Sequence, residues 1–591
     1  MAAVSPTSSD IECSQNRGCS FLRLAKHLTR WFRQIFGRLP GEYTVAKLDT
    51  FERFLCQTAH TQVAAILLLT PMSSILVNTF IEIIPLNDPA TPLHRCIGFL
   101  LRNFVTATIV TMAPFWIKPD CIPQLPIQSW KLALGFGILL GTVSTGTIAA
   151  LIYVVNDFPI PSSQFSPMIP MAIVGRLIEF RLLQKPEVKQ RLEKVDMWLG
   201  MVVVPILIYP ITTAIFMALG PSYQLWFSLL LPVIKHLLRY LLWLAAKDDL
   251  DLVGSIVCTI GHFYHVLFTA MCLQNAKNEE TLIAVFVVNF IHMLMNCREI
   301  VQGANKINRA KFQLKDLSST EDIISTALRI AQKMRVARSL HRKHPSRFVS
   351  QYPRYQYFDF ITRHHRLLAQ PFLGPTEADD SMEQQTTNAR QNSTKTSIYP
   401  VKPEADTVIT QTLPTMRDTN SKALDTRLGS NTTTRTRSQH AYRSCASDDS
   451  RLEENFVRSL TSTLYQTEFI LLRSYITMFG LSFYGFYLML VFWLSNSQYF
   501  ATMANITTFD DMTNMVFYLL LLCSTEFLFF AIYLAIIQRY VGISGIYQLA
   551  FVLWSQRVLI QGKLVMLSVM ILGFPLKHYG NDFIFHLRPH A

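Results

Sequence analysis

Residues 132–155, LALGFGILLGTVSTGTIAALIYVV, decide the fold class. They include no charged side chain, and about 20 apolar residues are enough to cross a bilayer as one α-helix. Similar apolar segments recur along the chain, at 59–84, 97–117, 132–155, 167–183, 197–219, 224–245, 252–273, 281–297, 475–494, 513–537 and 558–576. The sequence therefore predicts an all-α fold, a polytopic transmembrane helical bundle of about 10–11 spans with a partly disordered cytosolic insert.

The charge distribution predicts the orientation of this bundle. Only 16% of the 591 residues are charged, and the formal net charge is +14. The excess Lys and Arg lie beside the apolar segments, which favours topology over nucleic-acid binding as their role. Alternate loops are basic: 184–196 carries four Lys or Arg, whereas 156–166 and 220–223 carry none. This pattern predicts that the N-terminus and residues 298–474 are cytosolic, in the plasma membrane or an endomembrane.

The predicted organisation has five parts. They are a basic cytosolic N-terminal tail (1–58), an eight-span membrane region (59–297), a basic amphipathic cytosolic segment (298–375), a disordered Ser/Thr-rich linker (376–455) and a C-terminal region of two to three spans (456–591). The sequence leaves open whether 558–576 crosses the membrane, since it contains Lys563. Asn505, in the sequon Asn505-Ile506-Thr507, is a glycosylation candidate in a predicted outside loop.

A basic amphipathic helix is predicted within 320–341. Ile324, Leu328 and Ala331 recur at helical spacing, and Arg329 and Lys333 supply charge between them. Two interpretations stay open. The helix binds a cytosolic protein partner or the membrane surface, or it packs on the cytosolic face of the bundle.

Charged residues at membrane depth are the strongest functional signal. Lys235, His236 and Arg239 lie near the middle of 224–245, and Glu526 lies in the middle of 513–537. Each cation at a helix centre costs roughly 2.5–3.5 kcal/mol on insertion scales, so such residues face the bundle interior. Glu526 is the expected counter-charge for Lys235 or Arg239. The alternatives are a path for an anion or proton and an ion pair that sets the helix register.

Three further charged residues complete the candidate transport path. Arg102 lies near the start of 97–117, where its side chain can snorkel to the interface. Arg176 and Glu179 are three residues apart in 167–183, which predicts that they pair with each other.

Two other patterns suggest a different function, the binding of a metal ion or of a diphosphate. His262 and His265 share a helix, and His292 and Asn289 lie on the next span. They are weak candidates for a metal site, with hydrogen bonds between helices as the favoured alternative. The sequence predicts no cofactor. The acidic cluster in 247–251, KDDLD, resembles diphosphate-binding sites of membrane prenyltransferases, but capping of the following helix explains it as well.

Small residues recur at four-residue spacing in 132–155. They are Gly137, Gly141, Thr145 and Ala149. This stripe predicts close packing against a neighbouring helix.

The C-terminal residues 554–557, WSQR, and 577–583, KHYGNDF, resemble the end of large, uncharacterised multi-pass membrane proteins of oomycetes. The arrangement of many spans around a Ser/Thr-rich insert is similar too. The resemblance implies this general layout. It implies no functional residues, because that family has no established activity.

The favoured function is a solute or ion transporter with a charged midplane site. A channel, or a membrane receptor or scaffold whose insert binds partners, is the main alternative. A membrane-embedded enzyme comes third. The expected partners are the lipid bilayer, a small solute or ion of unknown identity and a possible cytosolic protein, with no nucleic acid.

Overall fold

A computed structural model describes residues 39–91, 95–122, 125, 129–156, 158–182, 186–249, 251–274, 279–314, 322–341, 433–504 and 506–581. Fifteen helices account for most of them: α1 Val45–Gln57, α2 His60–Glu82, α3 Ile97–Cys121, α4 Trp130–Val155, α5 Met168–Leu182, α6 Pro186–Gly200, α7 Val203–Ala218, α8 Pro221–Ala246, α9 Val253–Gln274, α10 Glu279–Gln313, α11 Ile323–His341, α12 Thr433–Trp493, α13 Phe509–Val541, α14 Gly545–Ser555 and α15 Arg557–Gly573. No strand occurs in this part of the chain, only an isolated antiparallel bridge between Phe500 and Leu576. The predicted all-α membrane bundle is confirmed.

Eight described helical segments are long and apolar enough to cross a membrane. They are α2, α3, α4, Val188–Thr213 (across α6 and α7), α9, Leu282–Gln313 within α10, Ser450–Trp493 within α12, and α13. Helices α14 and α15 meet at a bend of 78° and would add a ninth span if they cross together. Two further segments predicted as spans, 167–183 and 224–245, form helices α5, of 15 residues, and α8, of 26 residues, which are not among these eight.

Helix α9 lies in the core of the bundle. Its side chains are buried on every face, including Ile256, Phe263 and Leu267 at 0% exposure. Burial on every face means that other helices, and not lipid, surround α9. A π-helical turn at Val257–His262 interrupts its regular hydrogen bonding.

The predicted N-terminal tail is partly folded. Residues 1–38 lie outside the described residues, but helix α1 buries Leu48 and Phe51 completely. Lys47 on this helix donates to Glu468 Oε1 of α12 at 2.9 Å. Thr44, just before α1, donates from its hydroxyl to Asp251 Oδ2 at 2.8 Å. These contacts anchor 45–57 in the bundle instead of leaving it in a free tail.

The predicted cytosolic insert is described at its two ends. Helix α10 continues to Gln313, and the predicted helix in 320–341 is confirmed as α11. The apolar face of α11 is buried at Ile324, Leu328 and Ala331. Residues 342–432 and Asn505 lie outside the described residues.

The predicted linker 376–455 is described from residue 433 onwards, where it begins α12. Residues 376–432 of the linker lie outside the described residues.

The small-residue stripe packs as the sequence predicts. A Cβ added at Gly137 would lie 2.9 Å from the carbonyl oxygen of Thr108 on α3, and one at Gly141 would lie 3.1 Å from that of Phe104. Asn103 of α3 also donates to Thr145 Oγ1 at 3.1 Å. The absence of a side chain at Gly137 and Gly141 therefore lets α3 and α4 approach closely.

Candidate functional site

A cavity of about 80 Å³ lies inside the bundle between α8, α9, α10, α12 and α13. Its lining combines apolar side chains with a concentrated polar set: Lys235, His262, His265, Asn289, His292, Arg473, Thr477, Glu526 and Tyr533. Helices hundreds of residues apart in the chain thus bring together the intramembrane cations, the carboxylate and the histidines that the sequence singles out.

The lining residues come from the middle of their helices. Lys235 lies at the centre of α8, Glu526 lies well inside α13, and His262 ends the π-helical turn of α9. Pro232, one turn before Lys235, also faces the cavity. Proline removes a helical hydrogen bond, and π-helical turns are frequent at functional sites. Two helices that border the cavity are therefore irregular beside it.

The acidic and basic groups of the cavity are not paired with each other. Glu526 Oε1 accepts a hydrogen bond from Ser474 Oγ at 2.7 Å. No described carboxylate oxygen lies within 4.0 Å of Lys235 Nζ or of the Arg473 guanidinium. Lys235 and Glu526 therefore line the same cavity without forming a direct ion pair.

Two of the histidines take part in hydrogen bonds between helices. His262 Nε2 lies 2.7 Å from Thr477 Oγ1 of α12, and His265 Nδ1 lies 3.4 Å from the Tyr209 hydroxyl of α7. The Thr477 hydroxyl is also placed to donate to the Arg473 carbonyl oxygen at 3.0 Å. His262 Nδ1 is buried and has no partner among the described residues.

A smaller pocket of about 20 Å³ adjoins the cavity. It shares Lys235, His262, His292 and Arg473 with the cavity and adds His236 and Arg239. The rings of His236 and His292 are 5.7 Å apart. No three His, Cys, Asp or Glu side chains within the described residues are placed to hold one metal ion.

Arg102 lies in a different part of the bundle. It forms a bidentate ion pair with Glu82 of α2, with distances of 2.8 and 2.6 Å, and both side chains are 3% exposed or less. Tyr487 also donates to Glu82 Oε1 at 3.0 Å. The expectation that Arg102 snorkels is wrong, because a carboxylate within reach in the protein interior satisfies its guanidinium.

Arg176 and Glu179 form a network at another position. Their predicted pairing is confirmed at 3.4 Å, and Arg176 also contacts Asp196 of α6 at 2.6 Å. Lys118 of α3 pairs with both Glu179 and Asp196. This network joins α3, α5 and α6, and neither Arg176 nor Glu179 lines the central cavity.

Arg473 is a charged residue of the cavity that the sequence did not single out. The predicted span begins at 475, so Arg473 falls outside it. The apolar residues 469–472, FILL, directly before it are the signal that the span begins earlier. In the structure the helix that contains Arg473 runs through to Trp493.

Comparison with protein-family models, curated proteins and solved structures finds no match for this chain.

Proposed function

We propose that the chain is a membrane transporter whose path passes through the cavity lined by Lys235, Arg473 and Glu526. The observation that supports this best is the presence of two cationic side chains inside the bundle with no described carboxylate within 4.0 Å. Isolated charge in a membrane interior is expensive, and two such cations that line one cavity are best explained by a solute, ion or proton that uses them.

The helix irregularities support the same proposal. Carriers place their sites at mid-membrane between helices that are broken or kinked, because the freed backbone groups and the bend allow the site to open. Here Pro232 and the π-helical turn of α9 border the cavity. We expect the path to lead to the cytosolic side past Arg239, which lines the adjoining pocket.

A receptor or scaffold that works through α11 has less support. Such a helix would need an accessible apolar face, and Ile324, Leu328 and Ala331 are buried. A membrane enzyme with clustered histidines has less support as well. The three predicted histidines lie in the same cavity as Lys235 instead of at one membrane face.

Flux measurements in proteoliposomes test the proposal. Wild type, Lys235→Met and Glu526→Gln would be compared with anionic, cationic and neutral solutes outside the vesicles. Lys563→Met is the matched control, because Lys563 is a buried lysine on α15 that does not line the cavity. We expect at least a tenfold loss of flux in Lys235→Met and unchanged flux in the control. Equal flux in Lys235→Met and wild type, or no flux of any solute by the wild type, would contradict the proposal.

A further inference from the structure

We propose that the cavity binds a small oxyanion between Lys235 and Arg473, which names the substrate class of the transport path and rests on the proposed function. The cavity has room for only a few atoms. A cavity needs on the order of 10–15 Å³ to hold one water, so about 80 Å³ has room for more than one water and for a small ligand. That size fits a small anion such as acetate, hydrogencarbonate or phosphate.

The balance of charge favours an anion. Lys235, Arg473 and Glu526 all line the cavity, so its described lining combines two cations with one carboxylate. Glu526 already accepts a hydrogen bond from Ser474, and it lies beyond 4.0 Å of both cations. In a low-dielectric interior, two cations without a close partner create a strong positive potential that a bound anion relieves.

The donor geometry favours an oxyanion over a halide. Arg473 offers a planar fork that matches two oxygens, and Lys235 offers a compact ammonium. His262 supplies a further polar atom, since its Nδ1 is without a described partner and the residue is 8% exposed. This nitrogen can accept from a ligand hydroxyl, or donate to an oxygen when the ring is protonated.

Binding to the purified full-length chain in nanodiscs tests the inference independently of flux. Isothermal titration calorimetry with acetate, hydrogencarbonate and phosphate would be compared with tetramethylammonium and glycerol, which share the size range but carry no negative charge. We expect at least one of the three oxyanions to bind, and neither control solute. The Kd for the bound oxyanion should rise at least tenfold in Lys235→Met and in Arg473→Met.

Two further variants distinguish the loss of the binding site from a general loss of structure. Glu526→Gln removes the one carboxylate among the described lining residues, so it should bind the oxyanion as tightly as the wild type or more tightly. Lys563→Met should leave the Kd unchanged, because that lysine lies outside the cavity lining. Weaker binding in Glu526→Gln, or an equal loss in Lys563→Met, would overturn the inference.

The two proposals fail in different ways. Oxyanion binding that depends on Lys235 and Arg473, without flux of that oxyanion, would keep the site and overturn transport. Flux of a cation or neutral solute that depends on Lys235, without oxyanion binding, would keep transport and overturn the anion site.

Discussion

Replacing Arg102 by methionine should destabilise the bundle strongly without affecting the cavity. The guanidinium makes two contacts with Glu82, at 2.8 and 2.6 Å, and both side chains are almost completely buried. Removing one partner of a buried ion pair typically costs about 3–5 kcal/mol, because the other charge stays buried and uncompensated. After the change, Glu82 Oε1 would retain the hydrogen bond from Tyr487 at 3.0 Å. One neutral donor does not replace a bidentate cation, so we expect a loss of about 3 kcal/mol or more.

The assay is reversible unfolding of the purified chain in mixed micelles, followed by near-ultraviolet circular dichroism. The matched variant is Arg102→Met combined with Glu82→Gln, which removes both charges and keeps an acceptor for Tyr487. We expect the double variant to recover most of the lost free energy of unfolding. Flux per folded protein should be unchanged in the double variant, because neither residue lines the cavity. A loss below about 1 kcal/mol in the single variant, or no recovery in the double, would refute the structural role assigned to this pair.

Three other changes have definite expected outcomes. Gly137→Val should lower the free energy of unfolding by about 1–3 kcal/mol, because its side chain would meet the Thr108 carbonyl at 2.9 Å; Gly135→Val, where nothing lies within 4 Å, is the control in the same assay. Lys563→Met should raise the free energy of unfolding by about 1–3 kcal/mol, since Lys563 Nζ is fully buried with no partner in the described chain; a drop would contradict this. Burial lowers the pKa of His578 to about 4, so protonation of this ring at acid pH favours the unfolded chain. The contribution of His578 to the free energy of unfolding should be complete above pH 6.5 and should fall by about 3 kcal/mol as the pH drops to 4. The free energy of unfolding of His578→Gln should lack this pH dependence.

The local signals in this sequence predict the helices well. The length of the apolar segments predicts the spans. The spacing of small residues predicts the close contact between α3 and α4. The helical spacing of apolar residues along 324–331 predicts the buried face of α11. Each of these signals depends on residues within one helix, so a single sequence is enough to detect it.

The partners of the charged residues are less predictable. Glu82 was not identified as the partner of Arg102, although the two lie only 20 residues apart. Lys47 and Glu468 are separated by 421 positions and still form a buried ion pair. Which charges meet depends on the rotation and neighbours of each helix, and hydropathy carries no information about either.

The helical membrane character of this protein is determined by sequence alone, because an apolar helix satisfies its own backbone hydrogen bonds in lipid whatever its neighbours are. The sequence also shows that Lys235, Glu526 and the histidines must be sheltered from lipid. Only the tertiary structure decides that they share a cavity, that Arg473 joins them and that Arg102 and Arg176 do not. The physical reason is that a cavity forms from the mutual packing of five helices, and no single segment of the chain encodes that arrangement.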